Sequence, residues 1–169
     1  LDVIGYNRRV DWNELVARCM TAAGITRDDV VQIAFDYGMM TAAFGLHFGA
    51  ERIGASVIPM STADDRRQLA VLRDYRTTAL VSTPSLAAHL GEVLADQGVG
   101  PAQLSLRVGL FGGEPWSEDR RRHIEERLGL TALDIYGLSE IVGPGVAGEC
   151  SAKNGLHLWE DHFIPEVVD

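Results

Sequence analysis

Helix-like and strand-like segments alternate through most of this chain, and that alternation limits the folds open to it more than any other feature. "DWNELVARCMTAAG" (11–24) reads as a helix, with Asp11 as N-cap, Glu14 three residues on, and Gly24 as the stop. "VVQIAF" (30–35) is a short apolar run suited to a strand buried on both faces. A helix over 41–53 follows, closed by Gly54, and then the strand "SVIPM". Asp64 or Asp65 starts a helix running to about Tyr75, before the strand "TALVST". "PSLAAHLGEVLADQG" has Pro84 near a first helical position and Gly98 at its end, both favoured placements. "SLRVGLFGG" is a strand, "SEDRRRHIEERLG" a helix capped by Ser117, and "ALDIYG" the fifth strand. The run "RRRH" (120–123) is expected to be a solvated helix face. Repeated strand–helix units predict an α/β fold, with a mostly parallel sheet, helices on both faces and right-handed crossovers. After Gly145 the pattern changes, and "HLWEDHFIPEVVD" (157–169) reads as short added strands, antiparallel to the rest.

Composition removes several classes of function. A net charge of −9 argues against a nucleic-acid surface, which needs a basic face, but leaves room for a small polyanion held by backbone amides and a metal. No apolar run approaches the ~20 residues that span a bilayer, and no signal-peptide pattern opens the chain, so no membrane role is expected. Cys19 and Cys150 are the only cysteines and lack CxxC spacing, which points to a reducing cytoplasm. Leu1 is not methionine and the last residues stop within strand-like sequence, so the chain is expected to be a piece of something longer.

In open parallel sheets, ligands bind beyond the carboxyl ends of the strands. Five post-strand stretches are therefore of interest, and two stand out. In "FGGEPW", paired glycines expose backbone to a flat ligand and Pro115 stiffens the exit from the sheet; the same residues also suit a plain strand-to-helix turn. In "YGLSE", a tyrosine ring can stack on a base, Gly137 allows close approach, Ser139 can donate to a phosphate and Glu140 can hold Mg2+. Ser139 could equally cap a short helix.

The stretches "LRVGLFGGEPWSEDRRRHIEERLGLTALDIYGLSEIVGPGVAGEC", "GLHFGAERIGASVIPMS" and "WEDHFIPEVVD" resemble the phenylacetate–CoA ligase family of adenylate-forming acyl/aryl-CoA synthetases, over 4–169. The resemblance implies a partial N-terminal AMP-binding domain over 1–169, with the phosphate loop upstream and a C-terminal domain beyond. It implies ATP, Mg2+ and coenzyme A as cofactors or co-substrates, and a small aryl carboxylic acid as the activated partner. It also implies a role in phenylacetate catabolism and leaves a homodimer open.

Carried over by resemblance, Tyr136 would stack on adenine, and Gly112, Gly113, Glu114 and Pro115 would line the adenine slot with Asp134, Ile135 and Gly137. Ser139 would sit beside the α-phosphate and Glu140 would bind the metal, the two forming the catalytic pair. Phe35, Tyr37, Met40, Gly113, Gly137 and Pro144 would form the acid pocket. The family's aromatic pair appears here as Phe35 and Met40, Gly113 replaces a common alanine, and Ala42 and Ala43 stand where glycines are usual, so the acid can differ from phenylacetate. The ribose-binding Asp and catalytic Lys would lie beyond Asp169, so the isolated fragment is expected to be inactive.

Alternatives stay open: a non-catalytic nucleotide-binding module of the same fold, or a ligase with another acid or acceptor. A dinucleotide oxidoreductase fits poorly, since no GxGxxG follows the first strand. His47 and Glu51 read as a packed or surface pair and Cys19 as a core residue, while Cys150 with His157 could be half of a zinc site. Glu160 and Asp161 could approach the nucleotide or lie on the surface.

Overall fold

The computed structural model of the chain describes residues 9–38 and 41–168; Met39 and Met40 lie outside the described residues. Its helices are α1 (Arg9–Ala22), α2 (Thr41–Ile53), α3 (Asp65–Asp74), α4 (Pro84–Asp96) and α5 (Glu118–Leu128). Its strands are β1 (Val30–Ile33), β2 (Ser56–Pro59), β3 (Ala79–Ser82), β4 (Val108–Gly112), β5 (Thr131–Leu138), β6 (Gly143–Gly148) and β7 (His157–Leu158). They form one sheet in the order β2-β1-β3-β4-β5-β6-β7, the first five parallel.

Local chemistry sets the element ends. Asp64 accepts a hydrogen bond from the Arg67 amide at 3.1 Å, Thr83 from Leu86 at 3.2 Å and Ser117 from Arg120 at 3.3 Å, so each caps its helix. Gly129 ends α5 in the left-handed conformation. Helix α1 already includes Arg9, so Asp11 lies inside it and does not cap it.

Alternate strand residues face opposite ways. Val81, Leu110 and Leu133 pack beneath Val16 and Met20 of α1 and Leu46 and Ala50 of α2. Their neighbours Leu80, Phe111 and Ala132 pack against Leu72 of α3, Leu90 and Leu94 of α4, and Ile124 and Leu128 of α5. The chain steps one way from β1 to β2 and the other way through β3, β4 and β5. Right-handed crossovers then require α2 on one face and α3 to α5 on the other, as observed. The reversal opens a crevice at the carboxyl ends of β1 and β3.

The end of the chain departs from expectation. "GPGVAG" is strand β6, antiparallel to β5, although glycine and proline make it a poor strand former. Strand β7 has two residues, and 159–168 hold no regular element; Ile164, Val167 and Val168 lie exposed. Apolar alternation there suggested a strand, but a strand needs a partner edge.

Candidate functional site

Two adjoining clefts open at the carboxyl ends of the parallel strands, the first reaching the end of β1. The apolar one, about 280 Å³, is walled by Phe35 after β1, Ala42 and Leu46 of α2, Ile135 of β5 and Pro144 of β6. Gly112, Gly113 and Gly137 complete its floor, and the hydroxyls of Thr41 and Ser139 meet at its rim, 3.0 Å apart. The Trp12 indole of α1 donates to the Pro144 carbonyl at 3.1 Å and so holds that wall.

The second cleft, about 320 Å³, lies between the end of β5 and the loop after β4. Asp134, Ile135, Tyr136 and Gly137 form one side, and Gly113, Glu114 and Pro115 the other. Tyr136 is 51% exposed, an uncovered aromatic face at a strand end. Gly113, Ile135 and Gly137 belong to both clefts, so occupants of the two would touch.

The glycines are set by the backbone as much as by any ligand. A Cβ on Gly112 would lie 2.2 Å from the Ile135 carbonyl oxygen, so bare backbone is needed where β4 meets β5, and Gly112 faces the apolar cleft. A Cβ on Gly137 would meet the Gly143 oxygen at 2.3 Å. There the β5–β6 register slips: Tyr136 pairs with Ala147 but Gly137 with Pro144, a bulge that brings Pro144 to the apolar cleft. Of Gly112, Gly113 and Gly137, only Gly113, at φ +83°, uses glycine's left-handed freedom; Gly143, at φ +97° on the β6 wall, uses it too.

Beyond β5, Ser139–Ile141 form a 3-10 turn whose cap is Leu138, so Ser139 is not a cap, and its hydroxyl pairs with that of Thr41. Glu140 is exposed, with no hydrogen bond or ion pair among the described residues. No group of three or more His, Cys, Asp or Glu side chains able to hold a metal exists among the described residues. One free carboxylate fits Mg2+, which takes most of its ligands from phosphate oxygens and water, and does not fit a metal caged by protein.

Beneath the second cleft lies a buried ion pair. Arg121 of α5 is 7% exposed and Glu149 is 5% exposed. The guanidinium donates to both Glu149 oxygens, at 2.7 and 3.1 Å, and to the Ala132 carbonyl at 2.6 Å. It also lies 4.5 Å over the Trp116 ring. Burial pushes the Asp134 carboxyl above its ordinary range, while a hydrogen bond from Trp116 works the other way. The solvated-face reading of Arg120, Arg121, Arg122 and His123 thus fails at Arg121. The signal was its spacing from Ile124 and Leu128, which sets all three on the buried stripe.

The structure thus gathers Phe35, Gly113, Gly137 and Pro144 around one cleft, and Gly113, Glu114, Pro115, Asp134, Ile135, Tyr136 and Gly137 around the other. Tyr37 lines neither: its ring meets Phe44 edge-on at 5.3 Å and its hydroxyl bonds His47 Nδ1 at 3.1 Å. Burial raises its pKa. Met40 lies outside the described residues. The Glu114 carboxylate accepts from the Ser85 amide at 2.6 Å and so caps α4. His47 and Glu51 pair at 3.3 Å, as expected. Cys19 is a core residue, its thiol pushed up to about 12 by burial. Asp161 ion-pairs with Arg18 of α1 at 2.8 Å, which occupies it away from the clefts.

The AMP-binding enzyme family matches residues 10–162, and the chain belongs to that family. It is 47% identical to the phenylacetate-coenzyme A ligase of Pseudomonas putida and 48% identical to that of Escherichia coli K12, over 99% of its own length in both cases. It spans 39% of the length of each. A crystal structure of 2-hydroxyisobutyryl-CoA ligase with 2-HIB-AMP and CoA superposes at a TM-score of 0.82, with 27% identity. That match covers 90% of this chain and 38% of the other. Among the described residues no helix is long and apolar enough to cross a membrane.

Proposed function

We propose that this chain is part of the large nucleotide-binding domain of an ATP-dependent aryl-acid–CoA ligase of the phenylacetate type. Such an enzyme converts a carboxylate to an acyl-AMP and then to an acyl-CoA thioester. The observation that carries the reading is the shared wall: an apolar cleft and an aromatic, polar cleft meet at Gly113, Ile135 and Gly137. An acid in the first and a nucleotide in the second would have their reacting ends in contact, which supplies the positioning on which adenylation depends.

The chemistry explains the parts. A carboxylate is a poor electrophile; its attack on the α-phosphate of ATP expels pyrophosphate and leaves an acyl-AMP, from which the thiol of coenzyme A displaces AMP. Two anions must be brought together, so neutralising charge matters most. Tyr136 stacks on the purine, while Asp134 and the 113–115 loop flank it. Ser139, held by Thr41, would offer its hydroxyl to the α-phosphate, and Glu140 would hold Mg2+. The ion, when bound, supplies positive charge against the phosphates. Phe35, Leu46 and Pro144 exclude water around an aryl ring. The setting is cytoplasmic, and the product serves phenylacetate catabolism or that of a related aryl acid.

The test is pyrophosphate release by the full-length protein against a panel of aryl acids. Tyr136→Ala should raise the KM for ATP roughly 5- to 150-fold, the worth of one base–aromatic stack, with the KM for the acid little changed. Silence towards every acid, or an unchanged KM for ATP in Tyr136→Ala, overturns the reading.

A further inference from the structure

Helix α5 docks on the sheet through Ile124 and Leu128, and an apolar residue at 121 would extend that stripe. The chain instead buries a charge there. Buried ion pairs add little stability over apolar replacements, so Arg121 calls for another explanation. Its surroundings supply one. The guanidinium covers Trp116, which directly follows Pro115 on one wall of the second cleft. It also grips Glu149, whose Oε2 accepts the Asp134 amide at 2.8 Å. The Glu149 amide in turn donates to the Asp134 carbonyl at 2.9 Å. A third hydrogen bond reaches the Ala132 carbonyl on the same strand as Asp134. Both walls of the cleft are thereby tied to one rigid, planar cation.

We propose that Arg121 is a positioning residue for the nucleotide: clamped between Trp116 and Glu149, it fixes the separation of the cleft walls and the placement of Asp134. Arg121 itself lines neither cleft. The inference rests on the functional reading above and adds to it a residue whose role is geometric. Only a flat, forked group can cover the indole and bridge a carboxylate and a carbonyl together, so lysine at this place keeps the charge and loses the clamp.

The experiment compares Arg121→Lys, Trp116→Leu and the double variant Arg121→Met/Glu149→Met in the full-length protein. The double variant leaves no unpaired buried charge, where Arg121→Met alone would strand Glu149, and its Tm reports whether the fold is kept. In all three the KM for ATP should rise about 10-fold or more, with kcat and the KM for the acid within about 3-fold of wild type. Calorimetry should show the same loss in AMP affinity. A double variant with wild-type Tm and an unchanged KM for ATP would reduce the pair to a packing element and overturn the inference. Equal losses for ATP and for the acid would overturn it too, since they report general loosening. A wild-type protein inert towards every acid is a separate outcome, and it removes the functional reading and this inference together.

Discussion

Replacing Gly137 by alanine puts one methyl group where β5 and β6 already touch. The added Cβ would lie 2.3 Å from the Gly143 oxygen and 2.6 Å from Pro144 Cα, both of them backbone atoms. Gly137 is not in the left-handed region, so the obstacle is steric and not conformational. Ordinary contact begins near 3.4 Å, so β6 must retreat by about 1 Å. Overpacking of this kind costs roughly 1–3 kcal/mol. The larger effect should be functional, because Pro144 walls the apolar cleft and Gly137 borders both clefts. A shift of about 1 Å can cost ~100-fold in rate, and here both the acid and the nucleotide would be displaced. The assay pairs urea denaturation with pyrophosphate release, using Gly100→Ala as control. A Cβ on Gly100 meets nothing within 4 Å, so that variant should stay within about 0.5 kcal/mol of wild type. A Gly137→Ala protein with unaltered stability and turnover would show that the bulge is not where the site is shaped.

Acid should weaken the fold through Asp29. Burial pushes its carboxyl up, but donors from Arg107, Thr78 and Thr26 outweigh that and hold it at about 2, against an ordinary 3.8. Since the folded value is the lower one, the contribution is complete above pH 3.8 and fades as pH falls towards 2; the difference is worth about 2 kcal/mol. Denaturation curves should show that loss, and Asp29→Asn should lack it; a wild-type stability that is flat across this window would refute the assignment. Thiol titration offers a third check. In the native 169-residue chain at pH 8, half-buried Cys150 should react with Ellman's reagent and buried Cys19 should not, whereas both react in denaturant. Rapid reaction of both in the folded chain would contradict the seating of α1 on the sheet.

Where a local rule decides the structure, the residues announced it. Helix α2 spans Thr41–Ile53 and stops at Gly54, because a glycine at φ +90° closes a helix wherever it is found. Thr83 with Pro84, and Ser117, begin their helices by satisfying the first free amides, a matter of three or four residues. The post-strand stretches around Gly113 and Tyr136 were visible as candidates for the same reason: a parallel sheet of such units must place its loops at one edge.

Strand β6 was hidden because "GPGVAG" has no strand preference of its own; it is a strand because it pairs with the edge of β5, while α1, packed across Gly143, Gly145 and Gly148, leaves room for nothing bulkier. Likewise Tyr37 turns to His47, Glu114 to the amide of Ser85, and Asp161 to Arg18, partners distant in sequence that compete with a ligand for the same side chain.

The order of residues thus determined by itself the succession of elements through β5, the caps of α3 and α5 and the edge at which chemistry gathers, since these follow from periodicity and short-range hydrogen bonding. Only the packed molecule decided which polar groups face the clefts and which are consumed inside, and it made Arg121 a buried clamp instead of a surface charge. The cost of burying a charge depends on what surrounds it in space, and Glu149, Trp116 and Ala132 come to Arg121 from after β6, from the loop before α5 and from β5.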